Sequence, residues 1–399
     1  MLRHTLTSHH ADLTAQLTPQ ERAHSERLLA TIRREIELAG GWLDFQSFMA
    51  LALYAPGLGY YSAGAHKLGI GGDFTTAPEI SPLFGRCVAR QCAQALRSLG
   101  QGGILELGAG TGAMALQILL ELERMECLPE HYYLLEVSAD LRARQQTLLQ
   151  SRLPQYSERV RWLDELPTDF VGVMVANEVL DALPVQRFCI ERGVVQGLGV
   201  AGSEAGLVWR TATASAQLTS AVQEIQAQLP NAFPEGYCSE INLQLPAWMQ
   251  SLSDALRAGT LLFIDYGWPR SQYYSPERLQ GTLSCFFRQR MHDNPLINVG
   301  LQDITAWVDF TAVAEAGLNA GLELKGFATQ AHFLLGAGLH EMLADMSEQD
   351  DATRWQVSQQ VQKLTLPGEM GESFKAMAFA KNCDVELSGF AFRDLRDRL

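Results

Sequence analysis

The sequence predicts an α/β fold, a mostly parallel sheet with helices on both faces. Two observations carry the prediction. From Gly102 onward short apolar runs alternate with helix-spaced segments, the rhythm of a parallel sheet covered by its crossover helices. A glycine-rich turn, "ELGAGTG" at 106–112, joins the first apolar run to the helix after it, where such sheets bind ligands.

The elements follow in order. Leu28, Leu29, Ile32, Ile36 and Leu38 recur at helical spacing and "AGG" ends the pattern, which predicts a leading amphipathic helix over 21–40. The stretch from "FMALALYAPGLGYY" to "GDFTTAPEISPLFG" reads as an ordered loop region, followed by a helix over 82–99. The core is expected as strand "GILELG", a helix to Met125, strand "YYLLEVS", a helix over 139–149, and strands "RVRWL" and "VGVMVANEV". Residues 185–215 break this rhythm and read as a β insertion. A helix over 246–258 then leads into the buried strand "GTLLFIDYG", and 267–300 is loop-rich. A further helix and strand, a mostly helical stretch over 340–370 and a last strand, "FKAMAFAKN", complete the chain. At 399 residues it exceeds one typical domain of ~100–200. We expect an N-terminal helical and loop segment, 1–100, covering the site, and a core, 101–399, with insertions at 185–215 and 267–300 and C-terminal helical additions.

Gly108, Gly110 and Gly112 permit positive φ and close backbone approach, while the next helix offers free N–H groups to a carboxylate or phosphate. The spacing is GxGxG, not the GxGxxG of dinucleotide folds, which disfavours a nicotinamide oxidoreductase. Glu136 closes the second strand, where a carboxylate accepts hydrogen bonds from both ribose hydroxyls. These features imply a nucleoside cofactor with an unphosphorylated ribose.

The combination resembles motif I and the acidic second-strand motif of class I, Rossmann-like S-adenosylmethionine-dependent methyltransferases. The ordered set "FMALALYAPGLGYY", "GDFTTAPEISPLFG", "LELGAGTG", "YYLLEVSADLR", "NEVLDALPV", "FIDYG" and "DITAWVDF" resembles one branch, the MidA-like methyltransferases, over residues 28–340. That family includes a mitochondrial assembly factor that methylates an arginine of a respiratory complex I subunit. The resemblance implies S-adenosylmethionine as cofactor, with Glu106, Gly108, Ala109, Gly110 and Gly112 toward its methionine part and Glu136 and Val137 at the ribose. It also implies Asp164 near the adenine; Asn177, just beyond "VGVMVA", is a cofactor-binding candidate beside the acids that follow it. Asp73 and Glu79 would belong to a lid; equally, Thr76 or Ser81 only caps the helix near Pro82.

An arginine acceptor needs carboxylates that grip and orient its guanidinium. Glu178 and Asp181, three apart and on one face if the chain turns helically, are the candidates, and His292 is a candidate proton acceptor. Their alternative roles are a salt bridge for Glu178, a helix cap for Asp181 and an ordinary loop position for His292. The expected function is methylation of an arginine on a protein substrate. The competing expectation is a non-catalytic, cofactor-binding assembly factor.

A net charge of -14 argues against a nucleic-acid partner. Seven scattered cysteines without a CxxC pair predict neither a disulfide framework nor a zinc site, so no metal is expected and a reducing compartment fits. No segment approaches a membrane span, and the polar N-terminus suggests a bacterial cytoplasm, or the mitochondrial matrix for a eukaryotic chain.

Overall fold

A computed structural model describes residues 17–63, 75–344 and 350–399. The core begins with helix α1 (Pro19–Leu38), opened by a capping box between Thr18 and Glu21. After the short strand β1 (Leu43–Asp44) comes α2 (Phe45–Tyr54), where a loop was expected. The aromatic and glycine content obscured a buried stripe: Phe45, Phe48, Met49, Ala52 and Leu53 lie at helical spacing, and Asp44 caps the first turn at the Ser47 N–H. Helices α3 (Ala77–Ile80) and α4 (Pro82–Leu99) follow, the latter closed by Gly100 in the left-handed region.

Next come β2 (Gly103–Leu107), α5 (Ala113–Arg124), β3 (Tyr132–Leu135), α6 (Ala139–Arg152), β4 (Val160–Leu163) and β5 (Phe170–Asn177). The insertion supplies β6 (Gln186–Glu191), β7 (Val194–Ser203) and β8 (Gly206–Thr213), then α7 (Ala216–Gln228) and β9 (Cys238–Ile241). Helix α8 (Leu245–Ala255) leads into β10 (Leu256–Trp268). Strand β16 (Phe374–Lys381) returns antiparallel between β10 and β15 (Glu323–Thr329). The main sheet thus runs β15-β16-β10-β5-β2-β3-β4, parallel from β10 to β4.

Period-two alternation builds a core on each face of this sheet. Ile104, Val173, Val175, Leu262 and Ile264 point to the face covered by α4 and α5. Leu105, Met174, Ala176, Leu261 and Phe263 point to the opposite face, against α8 and the helix Phe310–Asn319. Each buried Leu, Ile or Phe contributes roughly 1.5–3 kcal/mol, so both layers hold the strand ends in place.

The insertion forms its own sheet, β1-β7-β6-β9 with β8 beside β7. Arg187 is buried there, bonded to Glu240 at 2.9 Å and stacked 4.7 Å from the Trp209 ring. The same sheet corrects the cysteine reading. Cys189 and Cys238 are register partners on β6 and β9 with Cα atoms 4.1 Å apart, and they form a disulfide; the pairing of strands 49 residues apart was not visible in cysteine spacing. The stretch 267–300 also holds a hairpin, β11 (Ser284–Phe287) with β12 (Arg290–His292), whose first strand pairs with β13 (Asp303–Thr305), and β14 (Val308–Asp309) then pairs with the end of β10. Among the described residues no helix is long and apolar enough to cross a membrane, and no group of His, Cys, Asp and Glu could hold a metal.

Candidate active site

The carboxyl ends of β2, β3 and β5 open into a cavity of about 780 Å³. Its floor is the glycine turn. Gly108, Gly110 and Gly112 all have positive φ, at 62, 54 and 84°. A Cβ on Gly108 would also stand 3.0 Å from Val179 Cγ2, so bareness is needed there for space as well as for conformation. Gly112 opens α5 without lining the cavity, whereas Gly108, Ala109 and Gly110 line it.

Glu136 and Val137 form the neighbouring wall. One Glu136 oxygen accepts from the Ser138 N–H at 2.9 Å, the other from Gln145 Nε2 at 3.0 Å. Each oxygen retains a lone pair, so the carboxylate can receive a diol while staying fixed. Burial raises its pKa. Gln145 also donates to the Gly110 carbonyl at 2.9 Å and accepts from Trp162 Nε1 at 2.9 Å. It links the turn, the second-strand acid and β4, yet sequence reasoning missed it because nothing marks one glutamine in a polar helix.

Glu106 lines the same cavity and takes a hydrogen bond from the buried Tyr132 hydroxyl at 2.5 Å. Burial pushes its pKa up to about 8, against the lowering effect of that bond. Asp164 does not reach the cavity. It is an exposed partner of Arg142, because the chain beyond β4 turns outward, and Leu166 lines the wall instead.

The opposite half of the cavity comes from β5 and the N-terminal segment. Asn177, Glu178, Glu79, Tyr54 and Tyr61 all line it. Asn177 Nδ2 donates to Glu178 Oε1 at 3.0 Å, leaving Asn177 Oδ1 buried without a partner. Glu178 adopts φ 54°, a left-handed conformation costing a non-glycine residue roughly 1–2 kcal/mol. Burial, and then the neighbouring Asp181, raise its pKa to about 8. Glu79 also closes the turn at Thr76, whose N–H it accepts at 3.4 Å. Asp73 lies outside the described residues.

Glu178 and Asp181 do not share a face. The turn after β5 is not helical, so Glu178 faces the cavity while Asp181 sits behind its wall beside Tyr266, with one oxygen, Oδ1, unpartnered. Burial pushes the Asp181 pKa up to about 6. His292 lies on the short hairpin strand, where Nδ1 accepts from the Asn294 N–H at 3.3 Å, and it does not line the cavity. Residues missed by sequence reasoning close the space instead: Tyr54 and Tyr61 stack at 5.6 Å, their hydroxyls donating to the Ala182 carbonyl and to Asp303, each at 2.9 Å.

The cavity suits S-adenosylmethionine: a bare turn admits close contact, a fixed carboxylate meets a ribose, and the orphaned Asn177 Oδ1 awaits a donor. A Rossmann-like sheet with this turn and this second-strand acid defines an S-adenosylmethionine-dependent methyltransferase. The chain belongs to that family: the model described as "Putative S-adenosyl-L-methionine-dependent methyltransferase" matches residues 87–328. A Burkholderia thailandensis protein solved with S-adenosyl-homocysteine bound is 41% identical, with a TM-score of 0.91, over 96% of this chain and 99% of that one. The mitochondrial protein arginine methyltransferase NDUFAF7 homolog of Drosophila melanogaster is 28% identical, over 86% of this chain and 82% of its own length. The NDUFAF7 of Danio rerio is 27% identical, over 85% and 83%. The cofactor is therefore S-adenosylmethionine.

Proposed function

We propose that the methyl acceptor is an arginine side chain of a protein. The supporting observation is an uncompensated acidic cluster: Asp181 and Asp265 are buried, Glu178 is half-buried at the cavity wall, and among the described residues none of the three is ion-paired. Burial holds all three pKa values up, and repulsion adds to it at Glu178 and Asp265, so the site resists carrying all three charges without a cation. A guanidinium reverses that balance. It stays charged at pH 7, brings five donors for lone pairs such as those of Glu178, and its plane fits against stacked rings such as Tyr54 and Tyr61.

The bound cofactor supplies an electrophilic methyl group. Glu178, at the cavity wall, grips the guanidinium, orients one nitrogen and is available to take the proton released there. Asp181, behind it, adds a negative charge that favours the guanidinium. The names of the mitochondrial relatives agree with this acceptor. The test is transfer of labelled methyl from the cofactor to peptides differing only in Arg or Lys at one position. Label on the arginine peptide alone supports the reading. Label on lysine overturns it, and cofactor binding without transfer to any peptide or extract would return the protein to a non-catalytic role.

A further inference from the structure

The turn that carries Glu178 is held by a residue from another strand. Asp265, near the end of β10, directs Oδ2 at three consecutive backbone N–H groups: Val179 at 3.1 Å, Leu180 at 2.9 Å and Asp181 at 3.3 Å. Oδ1 accepts the Tyr266 N–H at 2.9 Å. The Glu178 N–H is taken by the Ile264 carbonyl at 2.9 Å, so the whole turn hangs from two residues of β10. Those donors would otherwise be buried without partners.

A neutral side chain could cap such a turn more cheaply. Asp265 is 1% exposed and faces two like charges, Asp181 and Glu178. Its register partner on β16, Lys375, does not neutralise it: the ammonium turns to the Glu372 and Ser373 carbonyls and lies 4.1 Å from the Trp268 ring. A carboxylate placed there adds charge beside Glu178 as well as holding its backbone in the left-handed conformation.

We propose that Asp265 is a positioning residue for methyl transfer: it anchors the turn after β5 so that Glu178 faces the cavity and Asp181 stands behind it. This rests on Glu178 being the acceptor-gripping group. Asp265 does not itself line the cavity and acts through the turn it holds. The groups facing Glu178 are Asp181, Asp265 and Glu79, all acidic, with Asn177 Nδ2 and the Ala77 N–H as its hydrogen-bond donors. Where Asp265 is ionised, removing its charge lets Glu178 lose its proton at lower pH.

The experiment compares wild type, Asp265→Asn and Glu178→Gln for S-adenosylhomocysteine affinity, kcat and KM for an arginine peptide, and the pH dependence of kcat/KM. Asp265→Asn is expected to bind the cofactor product within about threefold of wild type, to lose at least tenfold in kcat, and to move the acid limb of its pH profile downward. A change in stability alone would not move that limb. Wild-type kcat and an unmoved limb in Asp265→Asn, with Glu178→Gln inactive, overturn this proposal and leave the acceptor reading intact. A fully active Glu178→Gln overturns the acceptor reading itself. Should Asp265→Asn fail to fold, amide exchange in the wild type decides: Val179, Leu180 and Asp181 must be protected, and rapid exchange at all three refutes the anchor.

Discussion

The Tyr61 hydroxyl donates to Asp303 Oδ1 at 2.9 Å, across 242 residues of sequence, and so fastens the N-terminal segment over the half of the cavity that holds Glu178. The Ile304 N–H shares that oxygen at 3.0 Å, and Tyr54 stacks on Tyr61 from the side. Tyr61→Phe keeps the stack and removes the donor. Loss of such a bond to a charged group costs ~1.5–3 kcal/mol. We expect a lower melting temperature, a KM for the acceptor raised several-fold and an unchanged cofactor affinity. Equal losses on both ligands would show that Tyr61 closes the whole cavity.

Glu136 and Gln145 form one unit. Gln145→Ala removes the donor to one Glu136 oxygen and to the Gly110 carbonyl, so cofactor binding should weaken by ~10-fold, and Glu136→Ala should weaken it by more. Calorimetric titration with S-adenosylhomocysteine reads both. An unaffected Glu136→Ala would remove the second-strand acid from the cofactor site.

Glu106 and Glu178 lie far above the ordinary carboxyl range, both at about 8. The folded chain therefore keeps two protons over a window in which the unfolded chain has lost them. Stability is greatest below about 4.5 as far as these groups go, falls as pH rises toward 8, and is flat above. Melting temperatures across pH 5–9 (roughly this window) should fall less steeply for Glu178→Gln than for wild type. If transfer needs ionised Glu178, kcat/KM of the wild type rises over the same window.

Cys189 and Cys238 close a loop of 49 residues, worth up to ~4 kcal/mol by the loop-entropy relation. Thiol titration of the unfolded protein should find five groups without reductant and seven with it, since Cys87, Cys92, Cys127, Cys285 and Cys383 are free. Seven in both conditions would mean the pair stays reduced.

The glycine turn, Glu136 and the alternation of strands and helices around them were legible because each is local. A turn and its helix are continuous in sequence, and the acid sits one crossover away. Helix α2 was misread for a local reason too, since glycines beyond Tyr54 hid the apolar stripe before it. Asp164 was placed at the site by resemblance alone, and the structure turns it to Arg142.

By itself, then, the sequence determined an αβ core with a nucleoside-cofactor turn, because apolar periodicity and glycine positions act through neighbouring residues. Only the tertiary structure decided which acids gather around the turn after β5. Asp265 reaches the Glu178 turn through parallel pairing of β5 with β10, Tyr61 reaches Asp303 through packing of the N-terminal segment, and Asp181 is set behind Glu178 by a turn whose shape its own residues do not dictate. Contacts between strands far apart in the chain depend on how both faces of the sheet are buried, and no short pattern of residues records that.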